Sequence, residues 1–261
     1  MLIVLYMSVI LFVLILSYVL GFFYLLINLI KGSDKNFPKF QNALALILLF
    51  HLITVMDLVL VDNGLDLSLF KTFVLIAFII NTVIFISSFN KSLHSMYLVL
   101  FPISIFSLLL GQFISPTKTL TDLSLPIQIH IIISFLSYSF LAIAALHSMM
   151  TGYHHLQLKQ KNQNFLINSF PPLQTMENFL FELIWIGVVL LTLSLGSGFL
   201  FYDNLFEQKL LHKVILSSLA WITYVILLWG RYQRGWRGNV AIAWTWAGFI
   251  SILMAYVGSK I

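Results

Sequence analysis

Cysteine is absent from the 261 residues. That excludes disulfides, thiolate metal sites, iron–sulfur clusters and covalent haem attachment through a CxxCH motif. Charge is scarce as well. Only 9% of the residues are Asp, Glu, Lys or Arg, against 60% hydrophobic, and no soluble domain of this size hides so much apolar surface. Acids are the scarcer sign, nine against fourteen bases. The bases sit in short links, so the excess reads as membrane topology and not as a nucleic-acid surface. A phosphate-binding glycine loop, a metalloprotease helix motif and a nucleophile elbow are all missing, which argues against an enzyme. The residue alternation of a transmembrane barrel is missing too.

What is present is a series of apolar runs, each close to the roughly 20 residues that a helix needs to cross the hydrocarbon. Backbone groups in lipid must bond internally, so the runs are helices. The sequence predicts an all-α polytopic membrane protein, one integral domain over 1–261, with eight spans. These are expected at about Leu2–Ile30, Phe40–Val61, Phe70–Ser88, Met96–Ile114, Ile127–Met150, Phe179–Phe201, Leu211–Trp229 and Val240–Gly258. The first run lacks a basic flank and exceeds the ~7–15 apolar residues of a signal sequence, so it reads as a retained helix. Odd-numbered links carry Lys31, Lys35, Lys39, Lys91, Lys159, Lys161, Arg231, Arg234 and Arg237; even-numbered ones are diluted by Asp62, Asp66, Asp122, Asp203 and Glu207. Basic links stay inside, which predicts both termini on the outer, periplasmic side.

Polar residues inside such spans are the candidates for function. His130 heads the fifth span, and Ser134, Ser137 and Tyr138 follow on its helix face. His212 begins the seventh span at a matching depth. Two readings stand for this pair: axial ligands of one haem iron, or interfacial histidines bonded to water and headgroups. The first requires the fifth and seventh spans to approach one another. His51 lies mid-membrane with Thr54 one turn on, as a ligand for a second, transiting haem, a proton relay, or an interhelical hydrogen bond. His94, His147, His154 and His155 fall at the opposite side and read as structural. In the sixth span, Thr192 with Gly196 and Ser194 with Gly198 form small-xxx-small pairs suited to close helix packing.

Several runs carry a family resemblance. Trp221 and Tyr224 in W-x-x-Y, GWRG at Gly235–Gly238, the final helix ending AYVGSK, HxxxSxxSY from His130 and LLTLSLGSG from Leu190 together resemble the cytochrome c assembly membrane family. That family includes the haem-handling CcsA and CcmC type proteins. Length, eight spans and the segment PPLQTME are closest to its small YpjD/HemX-like branch, over about 40–258. The resemblance implies a bacterial inner-membrane protein that binds non-covalent, b-type haem at the outer face. His130 matches the family's outer histidine. His212 falls where the haem exporters have an Asp-Pro-Lys, and is expected to replace their other outer histidine. Lys213 and Lys209 are expected to meet the propionates. Cytochrome c assembly or haem-biosynthesis proteins, besides membrane lipid, are the expected partners. A HemX-like regulator or scaffold without stable haem is the alternative, and a small-solute transporter on His51 and Asp57 a third.

Overall fold

The computed structural model describes residues 2–31, 37–61, 64–66, 68–91, 93–112, 125–161, 170–201 and 208–258. Among them eight helices are long and apolar enough to span a membrane. They are α1 (Leu2–Ile30), α2 (Phe37–Val59), α3 (Leu69–Ser87), α4 (Tyr97–Gln112), α5 (Leu125–Lys159), α6 (Leu173–Phe201), α7 (Gln208–Arg234) and α8 (Gly238–Gly258). Among the described residues the fold is all-helical apart from a two-residue antiparallel pairing, Leu60–Val61 with Gly64–Leu65, between α2 and α3. A 3-10 turn at His94–Met96 leads into α4.

Three helices run past their apolar stretches. No glycine or proline interrupts the chain after Met150 until the link beyond α5, apart from Gly152, so α5 continues to Lys159 and takes His154 and His155 onto the helix. Pro171 and Pro172 start α6 at Leu173, because proline is well placed just before a helix's first turn. The helix α7 extends through Arg231 and Arg234, leaving three residues between it and α8. Gly235 and Gly238 have φ of +64° and +52° in that turn, a region that costs other L-residues about 1–2 kcal/mol. The glycines of the GWRG motif are there for the backbone.

The chain forms two compact units. In the first, α1 packs on α2, α2 on α3, α3 on α4, and α4 back on α1. In the second the order repeats: α5 on α6, α6 on α7, α7 on α8, α8 on α5. Each unit is a closed ring of four consecutive helices. Lipid tails are as apolar as leucine, so fit and internal polar bonds hold such rings. The helix α1 shows the division: Leu14, Tyr18, Leu25 and Leu29 are buried, while Phe12, Leu16, Leu20, Phe23 and Ile27 are exposed.

Glycines mark the tightest contacts in the second unit. A Cβ on Gly187 of α6 would stand 2.5 Å from Leu141 of α5, and one on Gly248 of α8 would stand 2.5 Å from the Tyr224 ring of α7. The Tyr224 hydroxyl donates to the Thr245 carbonyl at 3.1 Å, and Trp221 donates from α7 to Thr192 of α6 at 2.8 Å. The W-x-x-Y motif therefore ties one helix to both of its ring neighbours.

Candidate functional site

The first unit contains a buried polar chain with one member on each helix. Tyr18 of α1 meets Nδ1 of His51 of α2 at 2.7 Å. Tyr18 also faces Ser104 of α4, which accepts from Asn81 of α3 at 2.7 Å. His51 is fully buried and sits edge-on to Phe78, with ring centroids 5.5 Å apart. Its Nε2 makes no bond of ordinary hydrogen-bond geometry, and the Val74 backbone carbonyl is close to the ring. The His51 ring thus looks onto protein groups.

His130 is arranged differently. It lies near the start of α5, half-buried, with Nδ1 2.8 Å from the Ser197 hydroxyl of α6. Ser197 itself donates to the Ser194 carbonyl at 2.9 Å, and that carbonyl lies close to the His130 ring as well. While Ser197 keeps that bond its oxygen accepts, so that Nδ1 carries the proton and Nε2 the lone pair. Ser134 donates to the His130 carbonyl at 2.7 Å and lies 2.6 Å from the Ser194 hydroxyl. Since the Ser134 proton is already committed, Ser194 donates across the seam. Lower down, Ser137 donates to the Gly187 carbonyl at 3.0 Å. Gly198 lies under the ring: a Cβ there would approach Cε1 of His130 to 3.3 Å.

The helix α7 stands across the ring of four from α5. Its Ser217 lies by the Tyr138 phenol, and the charge of Lys213, one turn earlier, reaches His130. Lys213 and Ser217 share the face of α7 turned to α5. His212 precedes Lys213, so it projects about 100° around the helix, and it is exposed. The charge of Lys213 is thus felt at His130, while His212 lies exposed on the outside of α7. The side chain of Lys209 lies outside the described residues. His51 belongs to the first unit. No group of three or more His, Asp or Glu side chains capable of holding a metal ion occurs among the described residues.

The other histidines on this chain have local tasks. His147 donates from Nε2 to the Met176 carbonyl at 2.9 Å and meets Phe179 edge-on, which fastens α5 to the first turn of α6. The PPLQTME segment is likewise structural, because Glu177 accepts the backbone N–H of Gly238 at 3.1 Å and so caps α8. Ser194 and Ser197 escaped the sequence reading as partners of His130. Their i, i+3 spacing beside Gly198 was the available signal, and it reads equally as a packing stripe.

Comparison with known proteins agrees with the architecture. The model of the cytochrome C assembly protein family matches residues 40–261.

The chain belongs to the cytochrome c assembly protein family.

Within this family it is 35% identical to the inner membrane protein YpjD of Escherichia coli K12 over 202 residues, 77% of this chain and 76% of that protein. It is 26% identical to protein HemX of Brevibacillus brevis over 131 residues, about half of each chain. The cytochrome c biogenesis protein CcsA of Prochlorococcus marinus is 27% identical over 110 residues, 40% of this chain and 34% of that protein. No solved structure matches. Eight apolar helices and kinship to an inner membrane protein make this member a multi-pass protein of the bacterial inner membrane. Trp221, Tyr224, Gly235, Trp236 and Gly238, among the residues that carry the resemblance, help to build the second ring. The ring of Trp236 covers Gly230 and stacks on Trp244 at 5.5 Å, and Arg231 holds the Trp236 carbonyl at 3.3 Å.

Proposed function

We propose that this member of the family is a non-enzymatic haem-binding protein of haem handling or cytochrome c assembly, with His130 as an axial ligand of the iron near the outer face. The observation that carries the reading is the 2.8 Å contact of His130 Nδ1 with the Ser197 hydroxyl, which itself bonds the Ser194 carbonyl. Metal-bound imidazoles almost always donate their second N–H to a fixed partner, and Ser197 is placed to be that acceptor. The nitrogen with the lone pair is the one an iron would take. The donor set fits the group: a neutral imidazole, a lysine whose charge reaches it, and a glycine that clears the ring.

In this reading Lys213 meets a propionate, and His212, exposed beside it on the outside of α7, is the second axial ligand only if haem binding turns it towards His130. His51, held by Tyr18 inside the first unit, serves the packing of that unit in this reading. A bound b-type haem would bring the iron chemistry, while the protein contributes ligation and an apolar setting. Both termini lie on the outer side, and the partners are assembly or haem-biosynthesis proteins in the same membrane. The likeness to HemX favours a second reading, a membrane regulator or scaffold without stable haem. The absorption spectrum of purified protein decides between them. A bis-histidine haem spectrum that is lost in His130→Ala supports the first, and equal haem content in parent and His130→Ala supports the second.

A further inference from the structure

We infer that Ser197 is the positioning residue of the His130 site, holding the imidazole in the tautomer that presents Nε2 as the electron-pair donor. The inference rests on the haem reading for its purpose, but not for its geometry.

Four protons can be placed along the seam, in two linked pairs. The Ser134 hydroxyl donates to the His130 carbonyl, 2.7 Å away in its own helix. Its oxygen, 2.6 Å from the Ser194 hydroxyl, receives that group's proton. Ser197 donates to the Ser194 carbonyl at 2.9 Å. Only the proton on Nδ1 of His130 remains for the 2.8 Å contact with Ser197. Reversing that contact would take the Ser197 hydroxyl from the Ser194 carbonyl, which would keep its helical N–H partner but lose this second one. The same residues also fix the ring's position. Ser134 ties the backbone of His130 to α6, and Gly198 gives the ring 3.3 Å of clearance where a side chain would begin.

A histidine side chain without such a partner favours the opposite tautomer, with the proton on Nε2 and the lone pair on Nδ1. In that form the nitrogen facing Ser197 would hold the lone pair, and the other could not bind a metal without first losing its proton. Ser197 removes this step. Its effect is on affinity and orientation, acting through His130.

The test uses the full-length protein in detergent with 15N-labelled histidine. His130 signals are identified by their loss in His130→Asn. The parent should show a protonated Nδ1 and an unprotonated Nε2 before any haem is added. Ser197→Ala should shift the ring towards the opposite tautomer, and Ser197→Thr, which keeps the hydroxyl, should restore the parent pattern. The parent pattern in Ser197→Ala overturns the inference. Equal departures in the Ala and Thr variants also overturn it, since they would mean packing and not hydrogen bonding. Titration with haemin forms the second arm. Ser197→Ala should weaken binding roughly 10–100-fold, the range for lost outer-shell partners of a metal-bound histidine. If His130→Ala binds haemin as the parent does, the haem reading fails while the tautomer result stands. If His130→Ala loses binding and Ser197→Ala does not, the positioning role fails alone.

Discussion

Tyr18 and His51 meet at 2.7 Å between the first two helices of the chain, and the contact gives the deepest histidine a use inside the protein. Both residues are fully buried. Interhelical hydrogen bonds in membranes contribute about 0.6 kcal/mol on average and up to about 2. Tyr18→Phe should therefore destabilise the first ring by about 0.5–2 kcal/mol in denaturant unfolding, and leave the haem spectrum assigned to His130 unchanged. A loss of haem from Tyr18→Phe would instead make His51 a ligand held by its tyrosine.

Lys213 and His212 separate the two candidate roles on α7. Lys213 lies on the face turned to His130, and His212 does not. Lys213→Ala should weaken haemin binding and make it less sensitive to salt, because a charge–carboxylate contact is lost. His212→Ala should abolish the bis-histidine spectrum if it supplies the second axial position. An unchanged spectrum would assign that position elsewhere. Added imidazole should restore the spectrum if the surrounding cavity survives.

Asp66 and Lys71 form a buried ion pair at 2.8 Å in the turn between α2 and α3. Burial pushes the Asp66 carboxyl up, but the Lys71 ammonium and the Ser68 N–H together hold it below the usual carboxylate value. A depressed carboxylate stabilises the fold above its unfolded pKa of about 3.9, and that stability drains away as pH falls through the lower, folded value. Thermal unfolding of the parent should therefore decline below about pH 4. Lys71→Met, which strands a buried carboxylate, should cost about 3–5 kcal/mol near neutral pH. In that variant stability should improve, not fall, on mild acidification.

Gly248 sits where the Tyr224 ring needs space. Overpacking a well-filled core costs about 1–3 kcal/mol, so Gly248→Val should destabilise the second ring by that amount. Gly196, which has nothing within 4 Å of its Cβ position, should accept the same change with little effect. Unfolding midpoints of the two variants make the comparison.

The topology can be tested directly. Reporter fusions at Asn63, Lys118 and Asp203 should behave as external, and fusions at Lys35, Lys159 and Arg234 as cytoplasmic. A reversal at Lys118 and Lys159 would place His130 at the other membrane face, and one elsewhere would overturn the expected topology.

Spans, their number and the family were legible because lipid imposes a length and an apolar content on every crossing helix. Helix ends were less legible. The expected end of the fifth span at Met150 and of the seventh at Trp229 followed the loss of hydropathy, yet nothing in HHLQLK or RYQR stops a helix. Ring order was not legible at all, since it depends on which faces fit together. His130 could be singled out from its position beside Ser134, Ser137 and Tyr138, but its partner lies 67 residues on in LGSG. Ser194 and Gly198 do serve the packing that their spacing indicates. Gly196 is exposed, and Thr192 spends its hydroxyl on Trp221. Spacing alone does not distinguish a packing serine from one that orders a proton.

Because each ring is joined in the order in which its helices are made, the chain can assemble as it is synthesised. Ser134 and Ser197, which bond His130 among the described residues, lie on α5 and the helix that follows it. The His130 imidazole can therefore be set as soon as α6 has entered the membrane, before the glycine turn and α8 have been translated. The last helix closes a ring whose reactive nitrogen has already been chosen.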